Sequence, residues 1–452
     1  MPAWVPSVSQ HFMWSAIAVL AYVVSSRVRR ERRVPTAAIA WVMGLALLPY
    51  VMLPLYLLFG WRKQKATAHP PRLQANEQTH WATALLDSFG LLPPAPAQVR
   101  FHADGAESLE ALRQQLASAR QQLDVSMFLI GNDAVGHEAL EHLTRQARNG
   151  IQVRLLLDGY GAWTAPRRQL RALKAAGGTV ALFSPLFGRR SLGARNLRNH
   201  RKLVIADGAR LWAGGRNLAV EYFAEHAGAP PWIDLTFDVK GAVAAAAALQ
   251  FEADWAAARG EPPQPAIAAA GVDCGDFAQF LPSGPDQTED TAEALLIDAC
   301  YRVQRRLLAV TPYFIPDDAL RMALRLAARR GARITLLIPA VSNHRLADFV
   351  RSRALRELTD AGAEIRLIPQ MVHAKAVVID DTLGLCGSIN LDRRSLLLNY
   401  ESAVLFYGAA EITWLARWIE ALAIGGTPFV AQRPGLLRDV IEGLLLTIAF
   451  QL

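Results

Sequence analysis

One polar pattern occurs twice in this chain, and the duplication limits what the chain can fold into. "HRKLVIADGARLWAGGRN" begins at His200 and "HAKAVVIDDTLGLCGSIN" begins at His373. Both read His-x-Lys, four residues, Asp, six residues, Gly, two residues, Asn, and they lie 173 positions apart (373 minus 200). The flanking sequence repeats too. "ALEHLTRQARNGIQVRLLLDG" has the layout of "ALRMALRLAARRGARITLLIPA": an amphipathic helix, a glycine stop (Gly150 or Gly331), then a β-rich run. "LRALKAAGGTVALFSP" is matched by "LRELTDAGAEIRLIP". Helix, glycine and strand recur in the same order, so the expectation is an α/β fold: two tandem α/β domains with mixed sheets, related by a pseudo-twofold axis and packed together.

A length of 452 residues fits two domains plus extra segments. Residues 12 to 26 carry no charge and residues 34 to 60 form a second uncharged run; "RVRRERR" lies between them. These predict a transmembrane hairpin with helices at about 5–26 and 34–60, near the 20 residues a span requires. Pro49 and Pro54 should kink the second helix, and Trp41, Tyr50, Tyr56 and Trp61 should sit at the interfaces. No basic n-region precedes the first run and no cleavage motif follows it, which argues against a signal peptide. Five arginines in the connecting loop face Arg62, Lys63, Lys65 and Arg72 after the second run. That balance puts the globular body outside the cytoplasm by a margin too thin to fix its side. The remaining boundaries are read as 1–66 for the hairpin, 67–265 and 266–430 for the two domains, and 431–452 for an apolar or amphipathic C-terminal helix.

The mean hydropathy of +0.16 is high for a soluble enzyme. The net charge of +8 points to an anionic partner. Three cysteines, Cys274, Cys300 and Cys386, form no CxxC and no even framework, and are read as packing residues. "HEALEH" places two histidines five apart, one more than the helical spacing of a zinc site, so no metal and no cofactor are expected.

Alternation along a strand puts His200 and Lys202 on one face, and likewise His373 and Lys375. Asn217 and Asn390 follow glycines (Gly214, and Gly387 with Ser388) that let a ligand approach the backbone. If the halves meet about a twofold axis, two imidazoles, two ammonium groups and two amides converge on one pocket suited to a phosphodiester. One imidazole would attack phosphorus and the other would protonate the leaving oxygen. A lone buried histidine is ordinarily a satisfied core residue; the duplication removes that reading here. Asp207 and Asp380 each sit at an expected hairpin turn, where aspartate bonds the local backbone. Each histidine also needs a carboxylate to orient it. The candidates are Glu401 for the second copy, and Asp234 or Glu221 for the first.

With "LLPYVMLPLYLLFG", "RNHRKLVIADG", "WIDL", "TPYFIPDDAL" and "GSINLDRRSLLLNYE", the paired motifs resemble the phospholipase D superfamily, and within it the bacterial cardiolipin synthases, over residues 12 to about 430. The resemblance implies two phospholipase D-like domains behind a membrane hairpin, in the bacterial cytoplasmic (inner) membrane. It implies transfer of a phosphatidyl group between two phosphatidylglycerols through a phosphohistidine. It carries His200, Lys202, Asp207, His373, Lys375 and Asp380 over as catalytic positions, and Asn217 and Asn390 as the matching amides. Two features depart from the pattern: Arg216 precedes Asn217, and "LIPQMV" before His373 is short and lacks a glycine. Strand alternation turns Arg216 away from the pocket. The basic stretch 189–202, "RRSLGARNLRNHRK", is expected to hold anionic headgroups, or else to be a solvated loop.

Hydrolysis to phosphatidic acid would use the same residues. A nuclease on this fold is disfavoured by the apolar N-terminus and by the lack of interleaved aromatic and basic residues, so no nucleic acid partner is expected. An inert membrane scaffold is disfavoured by two intact motifs.

Overall fold

The structure is a computed structural model that describes residues 7–29, 35–60, 62–63, 80–185, 195–265, 275–435, 438 and 441–442. Trp61, Lys65, Arg72, residues 189–194, Cys274 and most of the expected C-terminal helix lie outside these residues.

Helix α1 (Val8–Arg29) contains an apolar stretch, Val8–Ser26, long enough to cross a membrane. The second uncharged run forms two shorter helices, α2 (Pro35–Leu47) and α3 (Pro49–Phe59). The break has a local cause: Pro49 lacks an N–H and disfavours helical dihedrals at the residue before it, and Leu48 sits at φ −134°, ψ 55°. Pro54 stays inside α3. Among the described residues, the expected hairpin is thus one helix of spanning length followed by two that are too short. Tyr56, expected at an interface, is buried with its ring 5.4 Å from Tyr22 and 5.2 Å from Trp41.

After α4 (Trp81–Ser88) the first repeat runs β1 (Ala95–His102), α5 (Gly105–Ser118), β2 (Gln122–Met127), α6 (Ala134–Arg148), β3 (Gln152–Asp158), α7 (Arg167–Ala175), β4 (Thr179–Phe183), β5 (Leu203–Ala206), β6 (Arg210–Gly214), β7 (Thr236–Gly241) and α8 (Ala242–Arg259). The second runs β8 (Asp276–Ser283), α9 (Thr291–Arg302), β9 (Arg306–Val310), β10 (Phe314–Ile315), α10 (Asp318–Arg329), β11 (Arg333–Pro339), α11 (Arg345–Asp360), β12 (Glu364–Ile368), β13 (Ala376–Ile379), β14 (Leu383–Gly387), β15 (Leu391–Asp392), α12 (Arg393–Leu397), β16 (Glu401–Phe406), α13 (Ala409–Ile424) and β17 (Thr427–Pro428). The glycine stops appear where the sequence puts them. Gly150, Gly177, Gly331 and Gly362 have φ between +85° and +102°, and an added Cβ would meet nothing, so conformation alone requires glycine there.

Instead of two separate sheets, the strands join edge to edge into one mixed sheet of 15 described strands, ordered β17-β12-β11-β9-β13-β14-β16-β8-β1-β7-β6-β5-β2-β3-β4. The join is a short antiparallel pairing in which Ala95 meets Ala278 and Ala97 meets Asp276. Outward from it the two halves read alike: β1-β7-β6-β5-β2-β3-β4 on one side and β8-β16-β14-β13-β9-β11-β12 on the other. The parallel strands β3 and β11 are near-continuous apolar runs because helices cover the sheet. One core cluster extends through both repeats, taking Leu211, Leu235 and Phe237 from one and Leu281, Val404 and Phe406 from the other, while a second, with Leu112, Leu140 and Leu155, lies within the first repeat. Burial of each such side chain contributes about 1.5–3 kcal/mol. An aromatic cluster ties the halves together: Phe101 stacks on Trp414 at 4.5 Å, and Phe237 meets Phe406 edge-on at 5.6 Å.

Candidate active site

Each histidine enters the site just ahead of a strand, His200 before β5 and His373 before β13. Its backbone is tied to the opposite repeat. His200 N–H donates to the Tyr400 carbonyl at 2.8 Å, and His373 N–H donates to the Ile233 carbonyl at 2.7 Å. In both places the next residue along the acceptor strand is an acid, Glu401 or Asp234. That acid therefore faces the histidine of the other repeat. His200 Nδ1 lies 3.0 Å from Glu401 Oε1, and His373 Nδ1 lies 2.7 Å from Asp234 Oδ2.

This reverses the expected pairing, in which Glu401 served the second histidine and Asp234 or Glu221 the first. The cause is two isolated bridges between the repeats, Asn199 with Tyr400 and Ile233 with Val372, which matching of the copies along the sequence could not reveal. Glu221 serves neither ring. It lies in a short 3-10 turn, Val220–Tyr222, where its carbonyl accepts the Trp232 N–H, and both Nδ1 positions are occupied by the other acids.

Register shows that the two acids are equivalent. Gly214 pairs with Thr236, two residues after Asp234, and Gly387 pairs with Ala403, two residues after Glu401. Both glycines are needed for space, since an added Cβ would lie 2.3 Å from the Leu235 or the Ser402 carbonyl. The residues after them differ. Ser388 donates its hydroxyl to Glu401 Oε2 at 2.5 Å. At the matching Gly215, any Cβ would strike the Asp234 carboxylate at 2.1 Å.

Asp207 and Asp380, expected as catalytic from the resemblance, are elsewhere. Each terminates its strand, about 16 Å of extended chain beyond the lysine. Asp207 adopts φ +52° and accepts the N–H groups of Arg120, Gln121 and Gln122; Asp380 adopts φ +49° and accepts those of Gln304, Arg305 and Arg306. They pin a hairpin to the start of β2 or β9, which is the turn chemistry the sequence also suggested.

Lys202 and Lys375 are buried, and their ammonium groups bond the carbonyls of His200 and His373. Asn217 donates to the Tyr222 hydroxyl at 2.8 Å. The Oδ1 atoms of Asn217 and Asn390 are buried with no hydrogen-bond partner among the described residues. Aromatic rings that the sequence reading missed confine the imidazoles: Phe128 lies 4.8 Å from His200, and Tyr222 and Trp232 lie 5.0 and 5.6 Å from His373. Nothing in their local pattern marks them, because loops from distant positions deliver them.

Arg216 points away from the pocket as expected, donating to the carbonyls of Tyr222, His102 and Ala103. The described end of the basic stretch is not a headgroup surface. Arg198 and Arg201 are buried, Arg198 against Asp158 and Arg201 against Asp254 and Asp286.

Burial dominates the electrostatics. It pushes His373 down to about 3, with Lys375 adding to the fall and Asp234 opposing it. It also lowers His200, against the pull of Glu401. The same desolvation takes Lys202 to about 7 and Lys375 to about 8. Burial alone would raise both acids, but their own histidine and the lysines hold Asp234 and Glu401 below the usual carboxylate range. The pocket therefore holds neutral imidazoles with ionised acids behind them and two lysines able to gain a proton when an anion arrives. That suits nucleophilic attack on phosphorus with charge stabilisation by the protein.

A family model described as "Cardiolipin synthase, PLD-like domain" matches residues 112–255 and 296–423, once in each repeat. Over 399 residues the chain is 34% identical to cardiolipin synthase A of Pseudomonas putida strain W619, covering 82% of this chain and 83% of that protein. Over 438 residues it is 32% identical to cardiolipin synthase A of Pseudomonas aeruginosa strain LESB58, covering 90% and 89%. Among solved structures, phosphatidylserine synthase of Haemophilus influenzae Rd KW20 matches with a TM-score of 0.63 at 15% identity, over 82% of this chain and 100% of that one, a likeness of fold.

Proposed function

Because the chain belongs to the family of cardiolipin synthase, phospholipase D-like domain proteins, we propose that it makes cardiolipin by moving a phosphatidyl group from one phosphatidylglycerol to another. Nε2 of one histidine attacks phosphorus, an N–P bond forms, and the bond to the headgroup glycerol breaks. The other histidine, neutral in the free pocket, takes up a proton as the anionic phosphodiester enters and, as imidazolium, gives it to the departing glycerol oxygen. A glycerol hydroxyl of the second lipid then loses its proton to that imidazole and attacks phosphorus, and the N–P bond breaks. Lys202, Lys375, Asn217 and Asn390 stabilise the phosphoryl oxygens, with Gly214, Gly387 and Ser388 shaping the approach. Glu401 and Asp234 hold the rings with Nε2 forward. Either histidine can take either role, since the arrangement is close to symmetric.

The observation that carries this reading is the crossed pair of histidine–carboxylate contacts, with both lysines close enough to act on both imidazoles. The apolar helices α1–α3 serve as the membrane attachment that brings this pocket to its lipid, and the repeats occupy 67–265 and 266–430.

Purified full-length enzyme incubated with phosphatidylglycerol, with products read by mass spectrometry, should yield cardiolipin and glycerol in equal amounts. Phosphatidic acid without cardiolipin would show that water takes the intermediate instead.

A further inference from the structure

Just past α3, two basic side chains leave the apolar helices and lock onto the body. Arg62 Nη2 lies 2.5 Å from Asp290 Oδ2, and Lys63 Nζ lies 2.9 Å from Asp290 Oδ1. Lys63 also donates to the carbonyls of Gly284, Gln287 and Glu289, at 3.1, 2.9 and 3.2 Å. An ammonium group with oxygens on all sides is held in place and is not a surface charge looking for solvent.

The acid it uses has been diverted from another task. Asp290 is the N-cap residue of α9, where an aspartate side chain ordinarily accepts the first free helix N–H groups. Here it makes no side-chain cap bond. Helix α9 forgoes its cap so that the carboxylate can face Arg62 and Lys63.

The clamped loop, residues 284–290, leads directly to the first motif. Its Asp286 accepts Arg201 Nη2 at 3.0 Å and the side-chain amides of Gln250 and Gln287 at 2.9 Å each. Arg201, wholly buried between His200 and Lys202 in sequence, donates Nε to the Glu401 carbonyl at 2.9 Å. Glu401 in turn holds His200. The second motif has Ala374 where the first has Arg201, so this connection exists on one side only. From Phe59, the last residue of α3, to Arg62 is three residues, a reach of about 10 Å.

We propose that Arg62, Lys63 and Asp290 form a positioning clamp that fixes the apolar helices in register with the first motif, so that the catalytic pocket is presented to lipid held in a bilayer. The clamp rests on the phosphatidyltransferase reading and on α1–α3 lying in the membrane. It acts on delivery of substrate, with no part in the chemistry.

The test uses the full-length chain and two substrates: phosphatidylglycerol in vesicles, and short-chain phosphatidylglycerol dissolved as monomers. The Arg62→Ala, Lys63→Ala pair should lose about tenfold or more of its vesicle turnover while keeping monomer turnover within about twofold, as expected when placement alone is disturbed. The conservative pair Arg62→Lys, Lys63→Arg should retain most vesicle turnover. Unchanged vesicle turnover in the alanine pair would overturn the clamp, and so would an equal loss on both substrates. Should the alanine pair fail to fold, Asp290→Asn carries the same comparison. Wild-type enzyme that forms no cardiolipin from either substrate would instead count against the transferase reading, whatever the variant-to-wild-type ratio of lipid cleavage shows about the clamp.

Discussion

His200 and His373 are each held by an acid from the other repeat, and this exchange sets what single substitutions do. Glu401 pulls the His200 pKa up against burial. Glu401→Gln should therefore lower it further and leave His373 unmoved, which histidine titration by NMR would show; a shift at His373 alone would disprove the crossed pairing. Replacing either histidine by asparagine should cost about 100-fold or more in transfer rate. The lysines make a pH prediction. Lys202, at about 7, is mostly neutral at pH 8 in the free enzyme. An anionic phosphodiester favours the ammonium form and raises that pKa, and Lys375, at about 8, responds in the same sense, so binding at pH 8 should take up between about one and two protons at the lysines, while at pH 6 the lysines take up almost none. Calorimetry in buffers of different ionisation enthalpy measures the uptake, and kcat/KM should fall as pH rises through about 7. Asp207→Ala should behave differently. Loss of three N–H partners should destabilise the fold by about 1.5–3 kcal/mol with kcat nearly unchanged. The histidines, lysines and asparagines could be found from the duplicated spacing. Which acid serves which ring could not, because that depends on strands of opposite repeats lying side by side.

At the level of elements, the helix–glycine–strand units were readable because each glycine stop and each amphipathic face acts over a few residues. The break at Leu48 was also local, although the sequence suggested a kinked helix and Pro49 in fact divides it in two. The edge-to-edge join of β1 and β8 was not readable, since three residue pairs far apart in the chain create it. Across that join Phe101 and Phe237 meet Phe406 and Trp414, so Phe406→Ala should destabilise the body by about 3–5 kcal/mol, seen as a lower urea midpoint for both repeats together. If only one repeat melted earlier, the shared core would be refuted. Arg201→Met would leave the Asp254 carboxylate buried without its cationic partner, at a cost of about 3–5 kcal/mol.

For the molecule as a whole, composition and repetition led to two α/β units behind an apolar N-terminus, and the family match places one phospholipase D-like unit in each half. The single continuous sheet exceeds that expectation, because hydrophobic patterning reports which face is buried but not which edge finds a neighbour. The crossed acids have one more consequence. Neither half contains both a motif histidine and the acid that holds it. A hypothetical ancestor with only one of these units would have had to meet a twin to acquire both an imidazole and its supporting carboxylate. Within one polypeptide the two sides are free to differ, as arginine at 201 and alanine at 374 do, while each stays hostage to mutations in the other.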